Sequence, residues 1–151
     1  MTYLEAIVDV LDYAIEQEER AFRFYSGLAR VVSSPDMKKV FEQFAGEELV
    51  HRKKLSDIQG GRLPFPALEA TPNIQIKDYE VEPEPTVDMN YKDALLVAMR
   101  KEKAAFRLYS DLASSVPDSP VRDVFLLLAQ EEARHKLRFE LEYERSDAAG
   151  R

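Results

Sequence analysis

The chain has 151 residues, 45% of them hydrophobic and 32% charged, with a net charge of -7. That length supports one well-buried core, and the composition is that of a globular protein rather than a disordered one. The absence of cysteine excludes disulfides, thiolate zinc sites and iron-sulfur ligation within the chain. The acidic balance argues against nucleic-acid or anionic-membrane binding, and no apolar run approaches the ~20 residues of a membrane span. With no basic leader before an apolar run, a cytoplasmic location is the expectation.

Thr2 to Glu5 reads as a capping box that opens a first helix. Its inward stripe is Leu4, Leu11, Ala14, Glu18, Ala21, Tyr25, Leu28 and Val32, in steps of three and four from Leu11 onward. Glu18 occupies a position that packing alone would give to Leu or Ile. Ser34 and Pro35 supply the cap and first residue of a second helix. Its stripe is Met37, Phe41, Phe44, Glu48, His51, Leu55 and Ile58, and Gly60-Gly61 ends it.

Residues 60–88 carry five prolines and no sustained helical period, so they read as a long crossover in which Asn73 to Lys77 alternates like a short extended segment. A third helix is expected to begin between Asp88 and Asn90, with Tyr91, Leu95, Ala98, Glu102, Ala105, Tyr109, Leu112 and Val116 facing inward. Ser119-Pro120 starts a fourth, with the stripe Val121, Phe125, Leu128, Glu132, His135 and Phe139. Leu126 and Leu127 make this helix apolar nearly all round, so the crossover or a second copy, in a homodimer, should cover its outer face. The tail 146–151 reads as frayed.

The second half repeats the first. Glu132 follows Glu48 by 84 positions, His135 follows His51 by the same 84, and Glu18 to Ala29 recurs at that offset as Glu102 to Ala113. The expected architecture is therefore an all-α four-helix bundle: one domain, 1–151, of two duplicated hairpins (2–59 and 89–145). If the hairpins are related by a two-fold axis, the third helix begins at the end of the bundle opposite where the second stops.

Glu18 precedes Glu48 by 30 residues, and Glu102 precedes Glu132 by 30, which places all four at one level of antiparallel hairpins. His51 and His135 lie one turn beyond their glutamates. One Glu-x-x-His on a helix is ordinary surface chemistry. Two on apolar seams, each with a seam glutamate at the same upstream distance, form the ligand set of a two-metal carboxylate site. Oxygen-rich ligation with one imidazole per ion suits iron or manganese, and zinc suits a purely structural site. Tyr25 and Tyr109 either hydrogen-bond a ligand carboxylate, act as redox neighbours, or are plain core tyrosines. Glu47 and Glu131 either accept from the free ring nitrogens of His135 and His51 respectively, or are surface acids. Arg134 pairs with one of these acids or is solvated.

The doubled Glu-x-x-Ala-x-x-x-Tyr (Glu18 to Tyr25 and Glu102 to Tyr109) with the doubled Glu-x-x-His resembles the di-iron domain of the rubrerythrin family, in the ferritin-like superfamily, from residue 3 to about 143. The resemblance implies a ferritin-like bundle with a long crossover. It also implies two iron ions on Glu18, Glu48, His51, Glu102, Glu132 and His135, and reduction of hydrogen peroxide or dioxygen in oxidative-stress defence. Rubrerythrin proper delivers electrons through a four-cysteine rubredoxin-like domain. This cysteine-free chain would need an external donor, rubredoxin-like or other. The family also has a further ligand glutamate where this chain has Ala105, matched by Ala21. Its loss makes the site symmetric and bacterioferritin-like, which brings in ferroxidase chemistry for iron storage as an alternative. A non-catalytic, metal-stabilised bundle is the third reading.

Overall fold

A computed structural model describes residues 3–148 except 69, 71, 83 and 87, with side chains described from 6 to 146. Both halves of the expected capping box, Thr2 and the Glu5 side chain, lie outside the described residues. Among the described residues four α-helices form in the expected order: α1 (Tyr3–Val31), α2 (Pro35–Gln59), α3 (Tyr91–Ser115) and α4 (Pro120–Ala148).

The helix ends follow from their cap chemistry. Ser34 Oγ accepts from the Met37 amide at 3.2 Å, and Pro35, which has no amide hydrogen to leave unsatisfied, opens α2. Gly61, at φ +81°, takes the left-handed conformation that turns the chain out of α2. Asn90 caps α3 through the Lys92 amide at 2.9 Å, so that helix starts at Tyr91, just beyond the expected window. Ser119 Oγ accepts from the Arg122 amide at 3.2 Å at the start of α4.

The inward stripes fall in two apolar clusters. One joins Ile7, Leu11 and Ala14 of α1 to Leu55 and Ile58 of α2, Leu108 and Leu112 of α3, and Val121, Phe125 and Leu128 of α4. The other joins Tyr25 and Leu28 to Met37, Phe41 and Phe44, Leu95 and Ala98, and Phe139. The start of α1 thus shares an end of the bundle with the finish of α2, the finish of α3 and the start of α4. Helix α3 begins at the end opposite to where α2 stops, and the crossover travels the length of the bundle. Between the clusters lies a layer of buried charge.

Three expectations are corrected. The extended segment expected over 73–77 ends at Gln75, which is extended, and a 3-10 turn takes over at Ile76–Tyr79, anchored by buried Tyr79, which donates to Asp111 at 2.5 Å. The tail is not frayed as far as Ala148, because Ser146 is fully buried and within 3.5 Å of Glu142. The crossover does not cover the outer face of α4, where Leu126 and Leu127 are 42% and 39% exposed. Leu137 and Leu141 extend that exposed stripe. No helix among the described residues is long and apolar enough to cross a membrane.

Candidate metal centre

The bundle brings Glu18, Glu48, His51, Glu102, Glu132 and His135 together, every one of them at most 2% exposed. Each helix contributes because its stripe continues through a polar residue at mid-length. Glu18 and Glu102 come from α1 and α3, and the two Glu-x-x-His pairs from α2 and α4. The imidazole rings of His51 and His135 stand nearly parallel, 6.2 Å apart.

Among the described residues two four-residue groups could each hold an ion, one of Glu18, Glu48, His51 and Glu132, the other of Glu48, Glu102, Glu132 and His135. Within each, the ligand atoms lie within 4.8 Å of one another. Glu48 and Glu132 belong to both groups. His51 Nδ1 is 2.8 Å from Glu132 Oε1, 3.3 Å from Glu48 Oε1 and 3.5 Å from Glu18 Oε2. His135 Nδ1 is 3.4 Å from Glu48 Oε1 and 3.6 Å from Glu102 Oε2. Donor atoms each ~2.1 Å from one ion and at right angles would be ~3 Å apart, so this spacing fits.

One inward-facing atom from every member lacks a hydrogen bond: Oε2 of Glu18 and Glu102, Oε1 of Glu48 and Glu132, and Nδ1 of both histidines. Each such orphan costs about 1 to 3 kcal/mol. Shared cations would satisfy all six at once, and the hard, anionic donor set suits a divalent ion.

Without cations the cluster holds protons. Burial, then repulsion from the surrounding glutamates, pushes the Glu48 and Glu132 carboxyls well above the carboxylate range. Burial lowers the affinity of His51 for its proton, but Glu132 and Glu18 together outweigh that and push the ring up to about 11. Burial raises Glu102 too, yet the approach of Glu132 and of the His135 ring, with the bond from Tyr25, outweighs it and its carboxyl is lowered.

The outer contacts follow the same two-fold plan. Tyr25 of α1 donates to Glu102 of α3, and Tyr109 of α3 donates to Glu18 of α1. Burial, then the adjoining glutamates, raises both phenols, so they remain donors. Glu131 meets His51 Nε2 at 2.5 Å, whereas Glu47 stands 3.6 Å from His135 Nε2 and is bonded by Arg134.

The spacing of the stripes did not reveal the route from solvent. Helices α1 and α3 stand apart from one another, and between them lies a cavity lined by Ala14, Ala21, Ala98 and Ala105 that reaches Glu18, Glu48, Glu102 and Glu132. The space open to the centres of water-sized molecules is about 50 Å³, room for a few small molecules. Glu84 of the crossover lies at its edge, bonded to Arg20 of α1 at 3.0 Å and to Lys101 of α3 at 3.1 Å. A fifth buried glutamate was also missed. Glu142, next on the α4 stripe after Phe139, accepts from Tyr91 at 3.1 Å, with Arg138 and Arg145 within 3.9 Å. The three-four spacing that exposes Glu18 would have found it.

A crossover-linked four-helix bundle with four glutamates and two histidines at its centre defines a ferritin-like carboxylate protein. The rubrerythrin family model matches residues 9–143, and the chain belongs to that family. Among solved structures, a hypothetical protein from Pyrococcus furiosus superposes with a TM-score of 0.71 at 22% identity, over 95% of this chain and 89% of its own. A Thermotoga maritima protein described as a ferritin-like diiron-carboxylate protein gives 0.70, also at 22% identity, over 93% and 95%. At that identity the likeness speaks for the fold. No protein in the curated set matches the sequence.

Proposed function

We propose that the chain is a di-iron carboxylate oxidoreductase that reacts with hydrogen peroxide or dioxygen, in oxidative-stress defence or iron handling in the cytoplasm. The observation that carries this is the set of six inward-facing, unsatisfied atoms arranged as two ion positions with two shared carboxylates. Glu48 and Glu132 would bridge the ions. Glu18 with His51, and Glu102 with His135, would complete the two positions. Two ferrous ions, when bound, supply the electrons that reduce the oxidant.

The protein's share of the work is binding, orientation and control of protons. Tyr25 and Tyr109 fix the rotamers of Glu102 and Glu18 by hydrogen bonds. Glu131 holds the His51 ring so that Nδ1 faces inward. The alanine-lined cavity suits an oxidant little larger than water and disfavours bulky alkyl hydroperoxides. Electrons would return from an external donor, since the chain has no cysteine to hold an iron-sulfur centre.

Ala105 and Ala21 favour a second reading, ferroxidase chemistry feeding iron storage, because they leave the two ion positions with matching donor sets. An anaerobic Fe(II) titration of metal-free protein, followed by peroxide or oxygen, tests both. Two irons per chain with rapid oxidation by peroxide is expected for the peroxidase, and faster oxidation by oxygen for the ferroxidase. Fewer than two irons, or two that neither oxidant touches, would sink both and leave a structural metal-binding bundle.

A further inference from the structure

The internal duplication lets the two ends of the centre serve as controls for each other. Their donor sets match, one imidazole, one terminal glutamate and two shared glutamates each. Their supports do not. His51 Nε2 has Glu131 at 2.5 Å. His135 Nε2 has Glu47 no closer than 3.6 Å, and makes no hydrogen bond.

Arg134 accounts for the difference. Its guanidinium bonds Glu47 and lies 5.8 Å over the Phe44 ring. Phe44 in turn stacks on His135 at 3.9 Å. The position equivalent to Arg134 in the first copy is Val50, which has no charge with which to compete for Glu131. One exposed arginine present in only one copy thus draws a carboxylate away from one histidine and leaves the other pair intact.

A carboxylate that accepts from the outer ring nitrogen raises the basicity of the inner one and fixes its tautomer, and losing such a partner costs about 10- to 100-fold in metal affinity. We propose that Arg134 makes the two ion positions unequal, so that the group of Glu18, Glu48, His51 and Glu132 fills first and the group containing Glu102 and His135 fills second. This rests on the two-metal reading above. It makes Arg134 a positioning residue that acts through Glu47. Its consequence is a resident ion on the His51 side and an exchangeable one on the His135 side.

The chain has only two histidines, so ring-nitrogen NMR of histidine-labelled protein resolves each end, and Zn(II) serves as a diamagnetic probe. In metal-free protein the His51 Nε2 proton should be hydrogen-bonded and slow to exchange, and that of His135 fast. At one equivalent of Zn(II), the metal-bound shift should appear on His51 in at least about 10-fold preference over His135. Arg134→Val, which restores the residue of the first copy, should slow exchange at His135 and bring the two populations to within about 3-fold. Glu131→Gln should narrow the preference from the other side. Equal shifts on both rings at one equivalent in the wild-type protein, or an order that Arg134→Val leaves untouched, would overturn the proposal while two-ion loading stands. No metal shift on either ring at two equivalents would overturn the two-metal reading along with it.

Discussion

The two hairpins agree at the buried charged cluster and differ on the outer face. Phe41 and Phe125 are equivalent and both fully buried, as are Glu48 and Glu132, His51 and His135, and Tyr25 and Tyr109. On the outer face the equivalents of Glu42, Gln43, Val50, Lys53 and Asp57 are Leu126, Leu127, Arg134, Leu137 and Leu141. The cluster positions are held in common because two copies that share one site must offer matching donors, whereas the apolar core trades volumes between the copies, Phe44 against Leu128 and Leu55 against Phe139. Outer positions answer to whatever each hairpin meets, and here they have diverged.

The inner agreement is tested most severely by the ligands. His51→Ala and His135→Ala should each reduce tight loading to at most one ion, with affinity at the altered position down by more than about 100-fold, because losing a direct ligand exceeds the cost of losing a support. Isothermal titration with Mn(II) or anaerobic Fe(II) reads this. Full two-ion loading in either variant would break the equivalence of the two Glu-x-x-His pairs.

Next in size are the paired phenylalanines. Phe41→Ala and Phe125→Ala empty equivalent positions in different apolar clusters, and each should cost about 3 to 5 kcal/mol in denaturant unfolding. A large disparity would show that one cluster relaxes around the loss and the other does not.

The tyrosines follow. Tyr25→Phe and Tyr109→Phe each remove a hydrogen bond to a buried glutamate, worth about 1.5 to 3 kcal/mol where the acceptor is charged. The two losses should match in the metal-loaded protein.

The pH dependence has a definite sign. A folded value of about 11 for His51, against an ordinary 6.5, means that its stabilisation of the metal-free fold is fully present below pH 6.5 and is lost as pH rises toward 11. The raised carboxyls of Glu48 and Glu132 act in the same direction from pH 4.5 upward. Metal needs deprotonated ligands. The thermal shift on adding Mn(II) should therefore grow with pH while the metal-free Tm falls, and loading at neutral pH should release protons to an indicator dye.

What was legible in the sequence was whatever the helical period exposes. Glu18, Glu48, Glu102 and Glu132 stood out because they interrupt apolar stripes, and the offset of 84 tied them into one site. Glu142 carried the same signal but had no partner at that offset, where the first copy has Ile58. The α1–α3 cavity and the tie from Glu84 to Arg20 and Lys101 depend on how far apart two hairpins settle, and no spacing within a helix encodes that. The 3-10 turn at Ile76–Tyr79 depends on Tyr79 finding Asp111 on α3, a contact equally remote from local pattern.

The outer divergence offers the smallest effect on stability and the sharpest contrast in behaviour. Leu126, Leu127, Leu137 and Leu141 are 42%, 39%, 56% and 49% exposed, so their burial within this chain contributes little to its fold. Giving all four the residues of the first copy (Leu126→Glu, Leu127→Gln, Leu137→Lys, Leu141→Asp) should change unfolding free energy by no more than about 0.5 kcal/mol per site. Four leucines along one face of a helix form the kind of apolar surface that marks a contact, and a homodimer is the contact expected for it. The wild-type chain should sediment with a concentration-dependent mass that the fourfold variant lacks. Identical sedimentation as monomers would mean that the divergence of the outer face serves something other than self-association, while the agreement of the inner face would stand.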